Sequence, residues 1–273
     1  MSKKAELRNT KEQFAPQTVG QAVANLYSTF RRYKAPTQTL DVCLACCMDV
    51  KLEREMRQLP LASLCRNHFY QYNNSAKSQV QPASEIKYLI PRLFELLSQG
   101  VDVHHSTEIF LDRVGRVPED TYSDAERKAL DDFAFEFFAA GLKQMPFEEN
   151  GYFQRDGAFS ILLMFDIGGF NVKPLLEHWL RQDTEVATLH YAYSTLWHFW
   201  LDGGEIGMPF ACDRPAFRET MKTWINEPKH RQLYTKRILD CATQLAPEVL
   251  QAGIGNYQTH EDVLDEVLGY VTE

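Results

Sequence analysis

Cys43 and Cys46 stand in C-x2-C spacing within DVCLACC, and further along Cys65 and His68 stand in C-x2-H spacing within LCRNHF. Thiolate and neutral imidazole are the ligands that tetrahedral zinc takes, at roughly 2.3 Å and 2.0–2.1 Å, so the two half-motifs together make a Cys3His set. Cys47 can stand in for Cys46. With four protein ligands such a site is closed and structural, whereas giving one position to water makes it a Lewis-acid centre. The same residues have a plainer reading. Free cysteine is among the most buried residue types, so Cys65 is equally a small core hydrophobe and His68 a hydrogen-bonded core histidine.

Two elements must position these four residues. Leu61, Leu64, Cys65, His68, Phe69 and Tyr72 recur at helical intervals after Pro60, which predicts a helix with Cys65 and His68 three residues apart on its inward face. Thr39 to Met48 is short and tolerant of extended backbone, which predicts a knuckle carrying Cys43 and Cys46. Val50 to Gln58 reads as a charged helical turn between the two.

The rest is helix after helix. Thr18 and Gln21 have capping-box spacing and open a first helix that ends before Pro36. Ser84 to Gln99 follows, closed by Gly100 and interrupted by Pro91, which removes one backbone donor. Asp102 to Gly115 offers a short helix with His104 and His105 at its start. Ser123 and Glu126 cap a long one, with Leu130, Phe133, Ala134, Phe137, Phe138, Gly141, Leu142 and Met145 on one stripe. Later helices are expected over Ala158 to Asp166, from Pro174 through Leu180, Thr184 to Leu201, from Pro215, Lys229 to Leu245, and Thr259 to Tyr270. An internal echo places EHWLRQD and KTWINEP in the same order before longer amphipathic helices, at a period suited to two-helix repeats. The expected fold is therefore all-α, an array of stacked antiparallel helix pairs of HEAT or armadillo type or an irregular helical bundle. The expected organisation is an N-terminal arm over 1–16, a helical subdomain over 17–146 and a second over 157–273, divided at FEENGYFQRDG.

Composition narrows the function classes. Hydrophobic residues at 44% and charged residues at 24% describe a folded chain rather than a disordered one. A formal net charge of -8 repels phosphate backbones, so nucleic acid is not an expected partner, and it suits a basic protein instead. The first residues carry charge with no apolar run behind them, which is neither a secretory signal nor a membrane span. Six cysteines are too sparse for a disulfide scaffold and point to a reducing cytoplasm. No phosphate loop, G-x-S-x-G elbow, H-E-x-x-H or dinucleotide fingerprint is present. Asp166 and Asp202 each precede a pair of glycines, at Gly168-Gly169 and Gly203-Gly204, which helix-ending turns explain.

VCLAC, HFYQYNNSA and EIKYLIPRLFELL together resemble a family of bacterial proteins without an assigned activity. The resemblance is strongest over roughly the first 100 residues and implies a bacterial cytosolic protein, with no particular reaction attached. Two function classes follow. One is an interaction protein that masks a basic partner, as an immunity or adaptor protein does. The other is an enzyme with a metal-stabilised or metal-dependent site at Cys43, Cys46, Cys65 and His68.

Overall fold

The computed structural model describes residues 18–148, 151–153, 156–254 and 258–272. The expected arm over 1–16 lies outside the described residues. The described chain is all-helical apart from one two-residue antiparallel pair, Gly253–Ile254 with Gln258–Thr259.

In order the helices are α1 (Val19–Phe30), α2 (Val50–Gln58), α3 (Arg66–Asn74), α4 (Ala83–Ser98), α5 (Asp112–Gly115), α6 (Asp124–Gly141) and α7 (Ala158–Ile167). They continue with α8 (Lys173–Arg181), α9 (Glu185–Thr195), α10 (Pro215–Asn226), α11 (Pro228–Gln244), α12 (Pro247–Leu250) and α13 (His260–Thr272).

The capping chemistry works as the sequence implies. Gln21 N–H donates to Thr18 Oγ1 at 3.2 Å while Thr18 N–H donates to Gln21 Oε1 at 2.7 Å, which satisfies donors that the start of α1 leaves over. Ser123 and Glu126 repeat the arrangement at α6. Glu126 serves a second purpose, because its carboxylate also meets buried Lys87 of α4 at 3.0 Å and Arg32 and Tyr33 beyond α1 at 2.6 and 2.7 Å. One side chain thus caps a helix and ties together the three elements that pack as α1 on α4 and α6.

Aromatic residues fill the space between helices. Phe94 of α4 meets Phe133 of α6 edge-on at 4.8 Å between centroids, the geometry that the ring quadrupoles favour. The two tryptophans of the internal echo, Trp179 on α8 and Trp224 on α10, pack against each other at 5.4 Å. Tyr191 of α9 stacks on Tyr234 of α11 at 3.5 Å. Buried apolar side chains form one cluster from Val19 to Val271. Phe153, inside the loop expected to divide the chain, is buried against Phe138 and His190, and so belongs to that cluster. Gly141 makes room for it, since a Cβ there would lie 2.1 Å from the Phe153 ring.

Three expectations need correction. The stripe from Leu61 to Tyr72 is not one helix, because a 3-10 turn at Leu61–Ser63 gives way to extended backbone at Leu64 and Cys65 before α3 begins. Over Asp102 to Gly115 only a 3-10 turn at Thr107–Ile109 and the four-residue α5 form. The helix expected over Thr184 to Leu201 changes pitch, α9 passing into a π-helical turn at Leu196–Trp200.

Candidate metal and thiol centre

The segment that carries Cys43 is held from below before it reaches the sulfur. Arg113, buried in α5, donates to the Tyr72 carbonyl at 2.6 and 3.0 Å, to the Asp41 carbonyl at 2.9 Å and to Gln81 Oε1 at 2.6 Å. Its guanidinium also lies 4.0 Å from the Tyr72 ring centroid. The Asp41 carboxylate accepts from Ser78 N–H and Oγ, both at 2.9 Å, and from Gln81 at 2.5 Å. Cys43 N–H then donates to Ser75 Oγ at 2.8 Å and to the Ala76 carbonyl at 3.1 Å. A planar, permanently charged fork suits this task because it can satisfy several carbonyls at once.

From that anchor the backbone turns over. Met48 N–H donates to the Cys43 carbonyl at 3.1 Å, and Leu40 and Met48 are buried on either side. The turn leaves Cys43, Cys46 and Cys47 together, with all three Sγ atoms within 4.8 Å of one another. Cys43 Sγ is 3.6 Å from Cys46 Sγ, which is 3.4 Å from Cys47 Sγ. The backbone amides of Cys46 and Ala45 face the Cys43 sulfur and pull its thiol down to about 7, with hydrogen bonds from the Cys46 and Cys47 side chains adding to the effect. Cys46 is pushed up to about 11, first by its hydrogen bonds to Cys47 and Cys43 and then by their charge. One sulfur of the cluster thus loses its proton more readily than its neighbour. The three thiols could hold a metal ion, and a soft donor set of this kind selects zinc or copper(I) over hard cations.

Cys65 and His68 do not join that group, the one set of three or more potential ligands within such reach among the described residues. Cys65 occupies the N-cap position of α3 and is exposed, not turned inward. His68 is buried, and its ring folds back over Cys65. Cys65 N–H donates to His68 Nδ1 at 3.1 Å, and Cys65 Sγ lies 3.2 Å from the same nitrogen. On the far side of the ring His68 Nε2 meets Glu55 Oε2 of α2 at 3.2 Å. The spacing that suggested a pair of metal ligands here makes a capping box instead, since residues N-cap and N3 face one another whatever their chemistry. Glu55 carried no signal in the sequence, because its contact with His68 spans two helices.

Other candidates resolve into pairing and packing. Asp166 is bound by the Arg214 side chain, and Glu205 by Lys222 at 2.5 Å and Arg218 at 3.4 Å. His190 is buried, its Nε2 2.8 Å from the Gln144 carbonyl, and burial lowers it to about 4. The His104 and His105 rings lie with centroids 4.2 Å apart and tilted by 44°, and burial lowers His104 to about 4, helped by the charges of His105 and Lys77. No helix among the described residues is long and apolar enough to cross a membrane. No protein-family model matches the chain, and no curated protein or solved structure matches it.

Proposed function

We propose that this protein binds zinc through Cys43, Cys46 and Cys47, with the fourth coordination position open to water or to a group brought by a partner. The observation that carries this reading is the convergence of three sulfurs within 4.8 Å on a turn whose amides already face one of them. Three protein ligands and one exchangeable position are the arrangement of a reactive zinc ion rather than a closed staple. The ion would also fasten the turn from Cys43 to Met48. Its test is metal content under reducing conditions: one zinc per chain, lost in Cys43→Ser/Cys47→Ser and kept in Cys65→Ser. Substoichiometric metal in the unaltered protein defeats the reading, and loss of zinc in Cys65→Ser restores the four-ligand set instead.

A second reading, interaction with a basic protein, is favoured by a groove of about 660 Å³ between α8 and α10. Leu176, Leu180 and Trp224 line it, with Glu177, Glu219 and Glu227 beside Lys173, Lys229 and His230. Its apolar lining takes an apolar side chain, and the formal net charge of -8 makes the encounter rate with a basic protein fall with salt. Leu180→Lys should abolish binding of a basic partner. Binding unaffected by that change would remove the groove from consideration.

A further inference from the structure

We infer that Cys65, His68 and Glu55 form a nucleophilic thiol site that takes acyl groups from activated esters or thioesters. The inference stands apart from the metal reading, which concerns other sulfurs.

The case is geometric. Because His68 Nδ1 accepts the Cys65 backbone N–H at 3.1 Å, the ring proton sits on Nε2, where it donates to Glu55 Oε2 at 3.2 Å. That fixes the tautomer with its lone pair toward Cys65. The thiol sulfur lies 3.2 Å from the same Nδ1, where its S–H shares that one lone pair with the Cys65 N–H. A nucleophile within hydrogen-bond reach of a base that a carboxylate in turn orients is the working arrangement of thiol and hydroxyl acyl-transfer enzymes, recognised by roles and distances rather than by order along the chain.

The surroundings supply what the chemistry needs next. Cys65 precedes the first turn of the nine-residue α3, so the N–H groups of Arg66 and Asn67 lack carbonyl partners within the helix. Donors at that place can receive the negative charge that a carbonyl oxygen gains during attack. The sulfur is exposed while the base beneath it is buried, so an electrophile reaches the thiol without entering a closed cavity. That favours a small activated acyl group or one presented on a carrier.

The step balances as follows. The sulfur–carbonyl carbon bond forms, the thiol proton passes to His68 Nδ1 as that nitrogen gives up the Cys65 N–H, and the bond from the carbonyl carbon to the leaving oxygen or sulfur breaks, the leaving group taking up the proton from His68 and Nδ1 regaining the Cys65 N–H. The product is a thioester on Cys65. Water, deprotonated by the same nitrogen, then releases the acid and restores the thiol.

The test uses the full chain, p-nitrophenyl acetate as the acyl donor, and mass spectrometry that resolves each cysteine. Cys65 should acetylate about 100-fold faster than exposed Cys212, which is the low end of what a positioned general base contributes. His68→Gln keeps an acceptor for the Cys65 N–H, since glutamine suits the third position of a capping box, but it cannot take the thiol proton, and the rate at Cys65 should fall to that of Cys212. Glu55→Gln, at a side chain about one-third exposed, tests the positioning residue without emptying the core. It should slow acylation about 10-fold and change the shape of the pH–rate profile at Cys65. Equal rates at Cys65 and Cys212 overturn the inference. So does an unchanged rate in His68→Gln, which would leave the histidine as a helix cap alone. Should His68→Gln fail to fold, Glu55→Gln decides: an unchanged rate and profile overturn the inference. Protection of Cys65 by added zinc together with Cys43 also overturns it, by returning the residue to the metal set.

Discussion

The cluster of three thiols makes a quantitative claim about which sulfur reacts first. With Cys43 near 7 and Cys46 near 11, about half of the Cys43 side chains are thiolate at pH 7, against about one in ten thousand for Cys46. A less basic thiolate is intrinsically slower, by a Brønsted factor of about 0.4–0.5 per unit, which takes back roughly 40- to 100-fold over the difference between them. The net expectation is that Cys43 alkylates about 50- to 125-fold faster than Cys46. Exposure predicts the opposite order, because Cys46 is the exposed sulfur and Cys43 the half-buried one. Iodoacetamide at limiting concentration, followed by peptide-resolved mass spectrometry of the reduced protein, distinguishes the two. A second arm isolates the cause. Backbone amides of Cys46 and Ala45 contribute most to Cys43, ahead of the Cys46 side chain, so Cys46→Ala should leave Cys43 the fastest of the remaining cluster. Labelling of Cys46 first, or return of Cys43 to the behaviour of Cys212 in Cys46→Ala, would refute the claim that the turn itself prepares this sulfur.

Arg113→Leu removes the fork that satisfies the carbonyls of Tyr72 and Asp41; it should cost about 3–5 kcal/mol in urea unfolding and weaken zinc in competition with a chromophoric chelator, whereas an unaltered zinc affinity would detach the knuckle from its proposed anchor. Acid should destabilise the fold early, because His104 and His190 titrate near 4 when folded against about 6.5 when unfolded. The unfolded chain then binds protons that the folded one refuses, so stability falls as pH drops from 6.5 toward 4, each histidine adding a slope approaching ~1.4 kcal/mol per pH unit, and the histidine contribution levels off below while Glu126, held down to about 2, continues the loss. Urea midpoints between pH 7 and pH 5 should fall less in His190→Gln than in the unaltered protein, and parallel curves would contradict this account.

How much of this was legible in the residues depends on whether the deciding contact is local. Capping at Thr18 and Ser123, the long stripe of α6 and the all-helical character follow from interactions within four residues, and these the pattern carries directly. The repeated tryptophans carried more than a period, because Trp179 and Trp224 turned out to touch. Periodicity failed where a polar group could compete for the backbone. Cys65 and His68 satisfied the spacing of an inward helical face, yet the same i to i+3 relation places an N-cap over N3, and extended backbone at Leu64 and Cys65 selects the cap.

The reach of Cys47 into the cluster was legible as an alternative ligand, since three cysteines on one short turn have few places to go. What no spacing could reveal is the direction of His68. Its ring is fixed by Glu55 on a neighbouring helix and by an amide of its own cap, and their joint presence holds Nδ1 beside the sulfur. The chemistry of this chain therefore divides between two kinds of information. The knuckle is written in a run of adjacent residues and survives as a motif. The thiol–imidazole–carboxylate line exists only once α2 and α3 are packed, so its function, unlike that of the knuckle, should disappear as soon as those two helices separate.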